Sequence, residues 1–292
     1  MANLLDIRRR IKSVKNTEQV TKAMKMVSAA KLRRAQERVI NARPFADKMR
    51  QMLENLASQT SEDFHHPLLD ARGDQRYRVF LITADKGLCG GFNANLIKAT
   101  QVFLKQHADK EIELVTIGRK GRDFFRRQRE LAGEFIGMTG KGSVEFAEAV
   151  HLARERLIKT FTDDEGLDKV FVIFSEFKSI MTQRVVVEQI LPIAQETNTD
   201  ETAVTSTKDY IFEQPPAEIF GRLLPRMVEM QIYRALLESI ASELGARMTA
   251  MEAATKNAGD VIDKLTLLMN RVRQASITRE IIEIVSGASA LE

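Results

Sequence analysis

Residues 13–36 read SVKNTEQVTKAMKMVSAAKLRRAQ and contain neither glycine nor proline. Small and apolar side chains recur there every seven residues, and the series extends along the chain in both directions. Its members are Ile7, Val14, Thr21, Ser28, Ala35, Ala42, Met49 and Leu56. A seven-residue recurrence is typical of helices that pair through one apolar seam. It predicts one long helix over residues 3–57, kinked rather than broken at Pro44, because the series continues in phase beyond that proline.

The C-terminal segment repeats this pattern after Pro215 and Pro216, which predicts a second helix over residues 217–290. One series consists of Met230, Leu237, Leu244, Met251, Ala258, Leu265 and Val272. A companion series consists of Tyr233, Ile240, Ala254, Val261, Leu268 and Ala275. Two such helices at opposite ends of one chain are expected to pair as an antiparallel coiled coil.

The two predicted helices differ in length. At 1.5 Å per residue the first spans roughly 80 Å and the second roughly 110 Å. About 20 C-terminal residues, RQASITREIIEIVSGASALE, are therefore expected to project roughly 30 Å beyond the pairing. Their isoleucines and valine lie around most of the helix circumference, so this overhang needs a partner from another chain.

The middle of the chain alternates strand-like and helix-like stretches. The strand-like stretches are RVFLITA, IELVTIG, EFIGMTG, KVFVIFSEF and RVVVEQILPI. This alternation predicts a mostly parallel sheet whose last strand is antiparallel at an edge. The expected fold class is mixed, α+β with α/β: a long antiparallel coiled coil of the N- and C-terminal helices plus a small Rossmann-like α/β domain. The expected segments are residues 1–57, 58–216 and 217–292.

Charge is distributed unevenly along the chain. Residues 1–57 carry 14 Lys/Arg against 5 Asp/Glu, although the whole chain has a net charge of only +4. Such a basic helix is either a solvated face or a contact for an acidic surface, on protein or nucleic acid.

No apolar stretch approaches the roughly 20 residues that span a bilayer. The single cysteine, Cys89, excludes an internal disulfide.

Residues 83–96, TADKGLCGGFNANL, are the stretch most like a nucleotide site. A phosphate-binding loop of the Walker type needs Lys and Ser/Thr after its glycines, but Phe92 and Asn93 stand there. Gly87, Gly90 and Gly91 do not give the dinucleotide spacing either. These glycines are therefore interpreted as a tight turn. Other candidate groups, among them Asp85, Ser175, Glu176 and the histidines, give no nucleophile–base pattern or metal-ligand spacing.

Both ends of the chain carry specific motifs. Residues 13–36, with ARMTAMEAATKNAGDVIDKLTLLMNRVRQASITREIIEIVSGASA at 246–290, resemble the γ subunit of F-type rotary ATP synthases. The C-terminal signature is matched at Ile277, Thr278, Glu280, Glu283, Gly287 and Ala288. DKGLCGGFNANL also resembles the opening of the α/β domain in that family. The resemblance covers the whole chain and is closer to bacterial members, because the inserted paired-cysteine segment of chloroplast members is absent.

The resemblance implies a non-catalytic rotor subunit of the central stalk in the proton-translocating ATP synthase. It implies as partners a ring of three α and three β subunits, the ε subunit and the c-ring. It further implies no cofactor, no metal and no nucleic acid, and a peripheral position at the cytoplasmic face of the bacterial inner membrane. The alternatives are a nucleotide-dependent enzyme and a basic coiled-coil nucleic-acid-binding protein.

Three sets of contact residues follow from the resemblance and from the charge pattern. Contact with the α/β ring is expected at Met24, Arg273, Gln274, Ile277, Thr278, Glu280 and Ile281, with Met24 near the end of the C-terminal helix. A basic face for acidic β-subunit surfaces is expected at Lys22, Lys25, Lys31, Arg33 and Arg34. Contact of the α/β domain, the foot, with ε and the c-ring is expected at Tyr210 and Glu213.

Overall fold

The computed structural model describes residues 4–58, 65–193 and 216–289. The helices in these ranges are α1 (Leu4–Ser58), α2 (Phe92–Gln106), α3 (Arg119–Phe125), α4 (Phe146–Leu152), α5 (Lys159–Asp163) and α6 (Pro216–Ser289). A π-helical turn, Ala153–Ile158, joins α4 to α5. The strands are β1 (Arg76–Ile82), β2 (Glu111–Ile117), β3 (Gly133–Phe135), β4 (Lys169–Phe177) and β5 (Gln183–Leu191).

The two predicted long helices are confirmed. α1 has 55 residues and continues through Pro44, and α6 has 74 residues and continues through Pro225. Pro216 is the first residue of α6, where the missing N–H of proline costs no helical hydrogen bond. Among the described helices, none is both long enough and apolar enough to cross a membrane.

The described chain forms two compact units, and each long helix contributes to both. The first consists of Met1–Ser28 with Arg247–Glu292. Here the two helices pair in opposite directions: Lys25 Nζ lies 2.6 Å from Glu252 Oε1, and the hydroxyl of Thr255 donates to that of Thr21 at 2.8 Å. The buried side chains of the seam are Ile7, Thr21, Ser28, Met251 and Ala258. The predicted antiparallel coiled coil is confirmed.

In the first unit, the companion series on α6 lies one residue later than predicted. Val261 and Leu268 are 42% and 41% exposed, whereas Ile262 and Met269 are half-buried. Steps of three and four residues alternate along a paired helix, and either order reproduces a seven-residue period. In this unit the step of four follows each member of the main series, as from Met251 to Thr255.

The second unit, Ala29–Ala246, contains a five-stranded sheet of order β3-β2-β1-β4-β5. β1 pairs in parallel with β2 and β4, and β2 pairs in parallel with β3. β5 pairs antiparallel with β4 at the edge of the sheet, as predicted. On one side, Leu96 and Phe103 of α2 pack in a core with Leu81 and Ile173.

Within this unit, α6 packs along β4 and β5. The Ser242 hydroxyl donates to the Ser175 carbonyl at 2.9 Å, and the Phe177 N–H donates to Glu238 at 3.2 Å. α6 is therefore buried on all sides over residues 235–245. Glu229 of α6 has no exposed side-chain surface and binds Arg154 from the π-helical turn at 2.5 Å, as a buried carboxylate requires a partner.

Candidate functional site

The glycine turn after β1 lies where doubly wound sheets bind ligands, at the carboxyl ends of parallel strands. A carboxylate of the chain itself occupies this position. Asp85 accepts hydrogen bonds from the backbone N–H groups of Arg119, Gly137 and Gly140 at 3.0, 3.1 and 2.8 Å. It accepts a fourth from the Thr139 hydroxyl at 3.2 Å. The donors that could face a phosphate already hold an anionic side chain, which agrees with the interpretation as a turn.

The other candidate catalytic groups have structural contacts. The backbone carbonyl of Ser175 accepts a hydrogen bond from α6, and Glu176 faces Lys178 at 3.7 Å. The ring of His107 lies 4.3 Å from that of Phe103. Among the described residues, no three His, Cys, Asp or Glu side chains converge as metal ligands would.

Titratable groups with clearly shifted pKa values lie largely at the opposite, amino-terminal end of the strands. A hydrogen bond from Lys169, with two further donors, lowers the pKa of Asp74. Burial raises the pKa of Asp168, but the N–H groups of Arg76, Gln75 and a neighbouring residue outweigh burial and lower it overall. Groups with shifted pKa values can mark active sites. Here the two carboxylates stabilise the loops before β1 and β4 through their hydrogen bonds.

The last part of α6 is the most exposed apolar helix segment of the first unit. Every described side chain from 273 to 286 is exposed. Five are large apolar residues, and they are Ile277 (49%), Ile281 (55%), Ile282 (58%), Ile284 (71%) and Val285 (59%). The Thr21–Thr255 and Lys25–Glu252 contacts place the start of α1 opposite about residue 272. Residues 273–289 therefore extend roughly 25 Å past the end of their partner helix.

The exposed end of α6 holds six of the predicted ring-contact residues. Arg273 makes no hydrogen bond or ion pair with any described residue. The Thr278 hydroxyl donates to the Gln274 carbonyl at 3.0 Å, and the Ser276 hydroxyl lies 3.2 Å from the Glu280 carboxylate. These bonds stay within one helical turn, so the side chains remain available to another chain.

Met24 does not lie near this end of α6, contrary to expectation. Its neighbour Lys25 contacts Glu252, which precedes Arg273 by 21 residues of α6. That separation is roughly 30 Å along a helix. The expectation came with the family resemblance, whereas the predicted overhang of about 20 residues already sets Met24 well before the exposed end of α6.

The predicted basic residues are divided between the two units. In the first, Lys22 is exposed, whereas Lys25 is partly covered and bound to Glu252. In the second, Lys31, Arg33 and Arg34 are exposed, and Arg33 lies 3.5 Å from Glu37. Tyr210 and Glu213 lie outside the described residues.

Comparison with known proteins gives the family. A family model described as ATP synthase matches residues 3–291. The ATP synthase gamma chain of Solibacter usitatus is 51% identical over 296 residues, and that of a Geobacter species is 46% identical over 294. Each alignment covers 100% of both chains. The chain belongs to the ATP synthase γ chain family. It is a non-catalytic subunit of that assembly.

Solved structures agree on the architecture. The central stalk and c-ring structure of the Tetrahymena thermophila mitochondrial ATP synthase contains a chain that is 27% identical, with a TM-score of 0.59. The alignment covers 80% of this chain and 99% of that one. A chain of the Euglena gracilis mitochondrial ATP synthase is 18% identical with a TM-score of 0.68, over 99% of this chain and 94% of that one.

Family membership decides between the interpretations left open by the sequence. This chain is the rotor subunit of a central stalk, and the recognition from its two ends is confirmed. The two alternatives, a nucleotide-dependent enzyme and a nucleic-acid-binding protein, do not agree with this family. The bonding around Asp85 was not predicted, because its donors lie 34 to 55 residues away in sequence and no local motif marks them.

Proposed function

We propose that the exposed end of α6 stands inside a ring of three α and three β subunits and turns against the catalytic β subunits. The observation that carries this is the run of exposed isoleucines beyond the end of α1. An apolar helix without a partner in its own chain is stabilised by burial against another. Arg273, Gln274, Ile277, Thr278, Glu280 and Ile281 form this contact, and Met24 forms a separate one further along the pair.

In this proposal, residues 1–57 and 217–292 work as one shaft and residues 58–216 as a foot that binds ε and the c-ring, through Tyr210 and Glu213 among others. Proton flow turns the c-ring, and the asymmetric shaft changes the nucleotide affinities of the three β sites in succession. The chain transmits torque by contact and takes no part in bond chemistry. Its place is peripheral, at the cytoplasmic face of the bacterial inner membrane.

A cross-link at Ile281 tests the position of the shaft. The complex is assembled with Ile281→Cys carrying a thiol-linked photoreactive group, since native Cys89 is buried. After illumination we expect adducts with α or β and loss of ATP turnover in proportion to adduct, because a tethered rotor cannot turn.

The matched control is Glu165→Cys, at an exposed turn of the second unit. It should give no adduct with α or β and leave turnover unchanged. An assembled complex in which Ile281→Cys yields no ring adduct, or yields one without loss of turnover, contradicts the proposal.

The basic face is proposed to contact acidic β-subunit surfaces through Lys22, Lys31, Arg33 and Arg34, with Lys25 held by Glu252. Exposed ion pairs contribute only about 0–1 kcal/mol each, so single neutralisations should change little. Changing these four residues together to glutamine should lower turnover and reduce its dependence on salt concentration.

The control for this charge change neutralises four exposed cations elsewhere in the second unit, on α2, on α3 and in the turn after α3. These are Lys105, Lys120, Arg126 and Arg127. ATPase activity is measured across a salt series for both variants. If the two salt profiles are the same, the basic residues form only a solvated face.

A further inference from the structure

β5 (Gln183–Leu191) has one edge that no described strand covers. It pairs only with β4 among the described strands, and no described backbone group bonds to its other side. Free strand edges are usually blocked by proline, lysine, a bulge or a covering element. Residues 184–188 read RVVVE and contain neither proline nor lysine. Their backbone groups are therefore available to a further strand.

Arg184 lies at this edge without a partner from its own chain. Its side chain is exposed and makes no hydrogen bond or ion pair with any described residue. Glu176, which is paired with it in the register of β4 and β5, faces Lys178 at 3.7 Å instead. Because opposite charges on neighbouring strands stabilise a sheet, Arg184 favours a carboxylate on the strand that joins this edge.

Glu188 can supply that carboxylate from a second copy of this chain. It lies four residues from Arg184, and side chains two or four apart on a strand point to the same face of the sheet. Within its own chain, Nη2 of Arg234 lies 2.6 Å from each oxygen of Glu188. A carboxylate has about four acceptor positions, so this one nitrogen leaves Glu188 able to accept from a second guanidinium.

Antiparallel pairing of two copies about Val186 brings these charges together. Each Arg184 then lies opposite Glu188 of the other copy, at a Cβ separation of about 4.5–5.5 Å. Centring the pair on either neighbouring residue would place Arg184 opposite an apolar side chain, Val186 or Ile190. The charge pattern of β5 therefore selects one register.

The other face of β5 is apolar at the same place. Val187 and Val102 of α2 are 41% and 45% exposed. Together with Ala99 and Phe103 they line a hollow of about 370 Å³. In the register centred on Val186, Val187 of each copy lies opposite Val185 of the other, and such β-branched pairs stabilise a sheet.

We propose that two copies of the isolated chain join through their β5 edges, antiparallel about Val186, so that their two sheets become one. A twofold interface uses the same surface of both copies and must be self-complementary. Here each copy contributes one arginine and one glutamate on one face, and valines on the other. Backbone hydrogen bonds add to these contacts, as in other cases of strand addition. The pairing concerns the chain outside the complex and does not depend on the function proposed above.

Two charge reversals test this pairing by sedimentation velocity of the isolated chain over a concentration series. Wild type should convert from monomer to dimer as its concentration rises. Arg184→Glu sets glutamate against Glu188, and Glu188→Arg sets arginine against Arg184, so each variant alone should dimerise roughly tenfold or more weakly. An equimolar mixture restores opposite charges at both positions. It should form a heterodimer about as strong as the wild-type dimer, identified by its mass in native mass spectrometry.

Val187→Lys and Val187→Thr form a second test, which leaves the contact between Glu188 and Arg234 intact. Lysine on an edge strand opposes strand pairing, so Val187→Lys should abolish the dimer. Threonine is also β-branched, and Val187→Thr should retain most of it. Circular dichroism checks that each variant is folded before its association is compared.

A wild-type chain that stays monomeric at every concentration overturns the inference. A dimer that Arg184→Glu and Val187→Lys leave unchanged also overturns it, in favour of another surface such as the exposed end of α6. If both charge reversals are folded and their mixture associates no better than either alone, the pairing of Arg184 with Glu188 is wrong.

Discussion

Replacing Arg273 by alanine is expected to lower steady-state ATP turnover of the assembled complex by roughly one to two decades. A hydrogen bond to a charged group contributes about 1.5–3 kcal/mol when it is desolvated. Each 1.4 kcal/mol corresponds to about a tenfold change in rate if the contact forms in the rate-limiting state. Arg273 bonds to no described residue of its own chain, so the loss reports on contact with another subunit. Glu280→Ala should act in the same direction.

Arg271→Ala is the control, since it removes the same charge from an exposed position just before the end of the paired region. It should keep turnover within about threefold of wild type, less than 1 kcal/mol. Assembly is checked by gel filtration, and ATPase and ion pumping are measured together. If Arg273→Ala keeps wild-type ATPase activity and wild-type ion pumping in a fully assembled complex, the proposal that Arg273 transmits torque by contact is contradicted.

Gly118→Ala is expected to destabilise the second unit by about 4 kcal/mol or more, within the range reserved for severe backbone and packing conflicts. Gly118 follows β2 with φ of 100°. A Cβ atom there would lie 2.1 Å from the carbonyl oxygen of Thr83, at the end of β1. Relief requires the ends of β1 and β2 to separate, which also disturbs the hydrogen bond from Gly118 N–H to Phe135 O at 2.7 Å.

Gly137→Ala is the matched control, because Gly137 has a similar φ of 89° but no atom within 4 Å of a Cβ. It should cost only the backbone strain, about 1–2 kcal/mol. Urea unfolding followed by tyrosine fluorescence compares the two, since the chain has no tryptophan and Tyr77 and Tyr233 lie in this unit. If the Gly118→Ala protein is as stable as Gly137→Ala, the ends of β1 and β2 can separate at little cost and the prediction is wrong.

The long helices could be predicted because a seven-residue recurrence is a direct record of burial along one side. The length difference predicted the overhang for the same reason. The companion series was misplaced, since sequence spacing alone cannot distinguish a step of three from a step of four. The position of Met24 was expected from family resemblance, whereas the predicted overhang and the Thr21–Thr255 contact both place it well before the exposed end of α6.

Less of the contact surface could be predicted from residues alone. The exposed end of α6 followed from apolar residues without a partner, and their assignment to the α/β ring followed from family resemblance. The role of Asp85 depended on donors from two separate segments, the start of α3 and the loop after β3.

The contact between Lys25 and Glu252 joins residues 227 positions apart. In an unfolded chain, closing so long a loop carries an entropic cost that grows with the logarithm of its length. Most of the intervening residues belong to the second unit, whose sheet contacts span shorter separations. If residues 29–246 fold first, they remove most of that loop's conformational freedom, so we expect the helix pair to form after the sheet domain. The long separation between the pairing residues therefore predicts an order of folding, with the sheet domain before the helix pair.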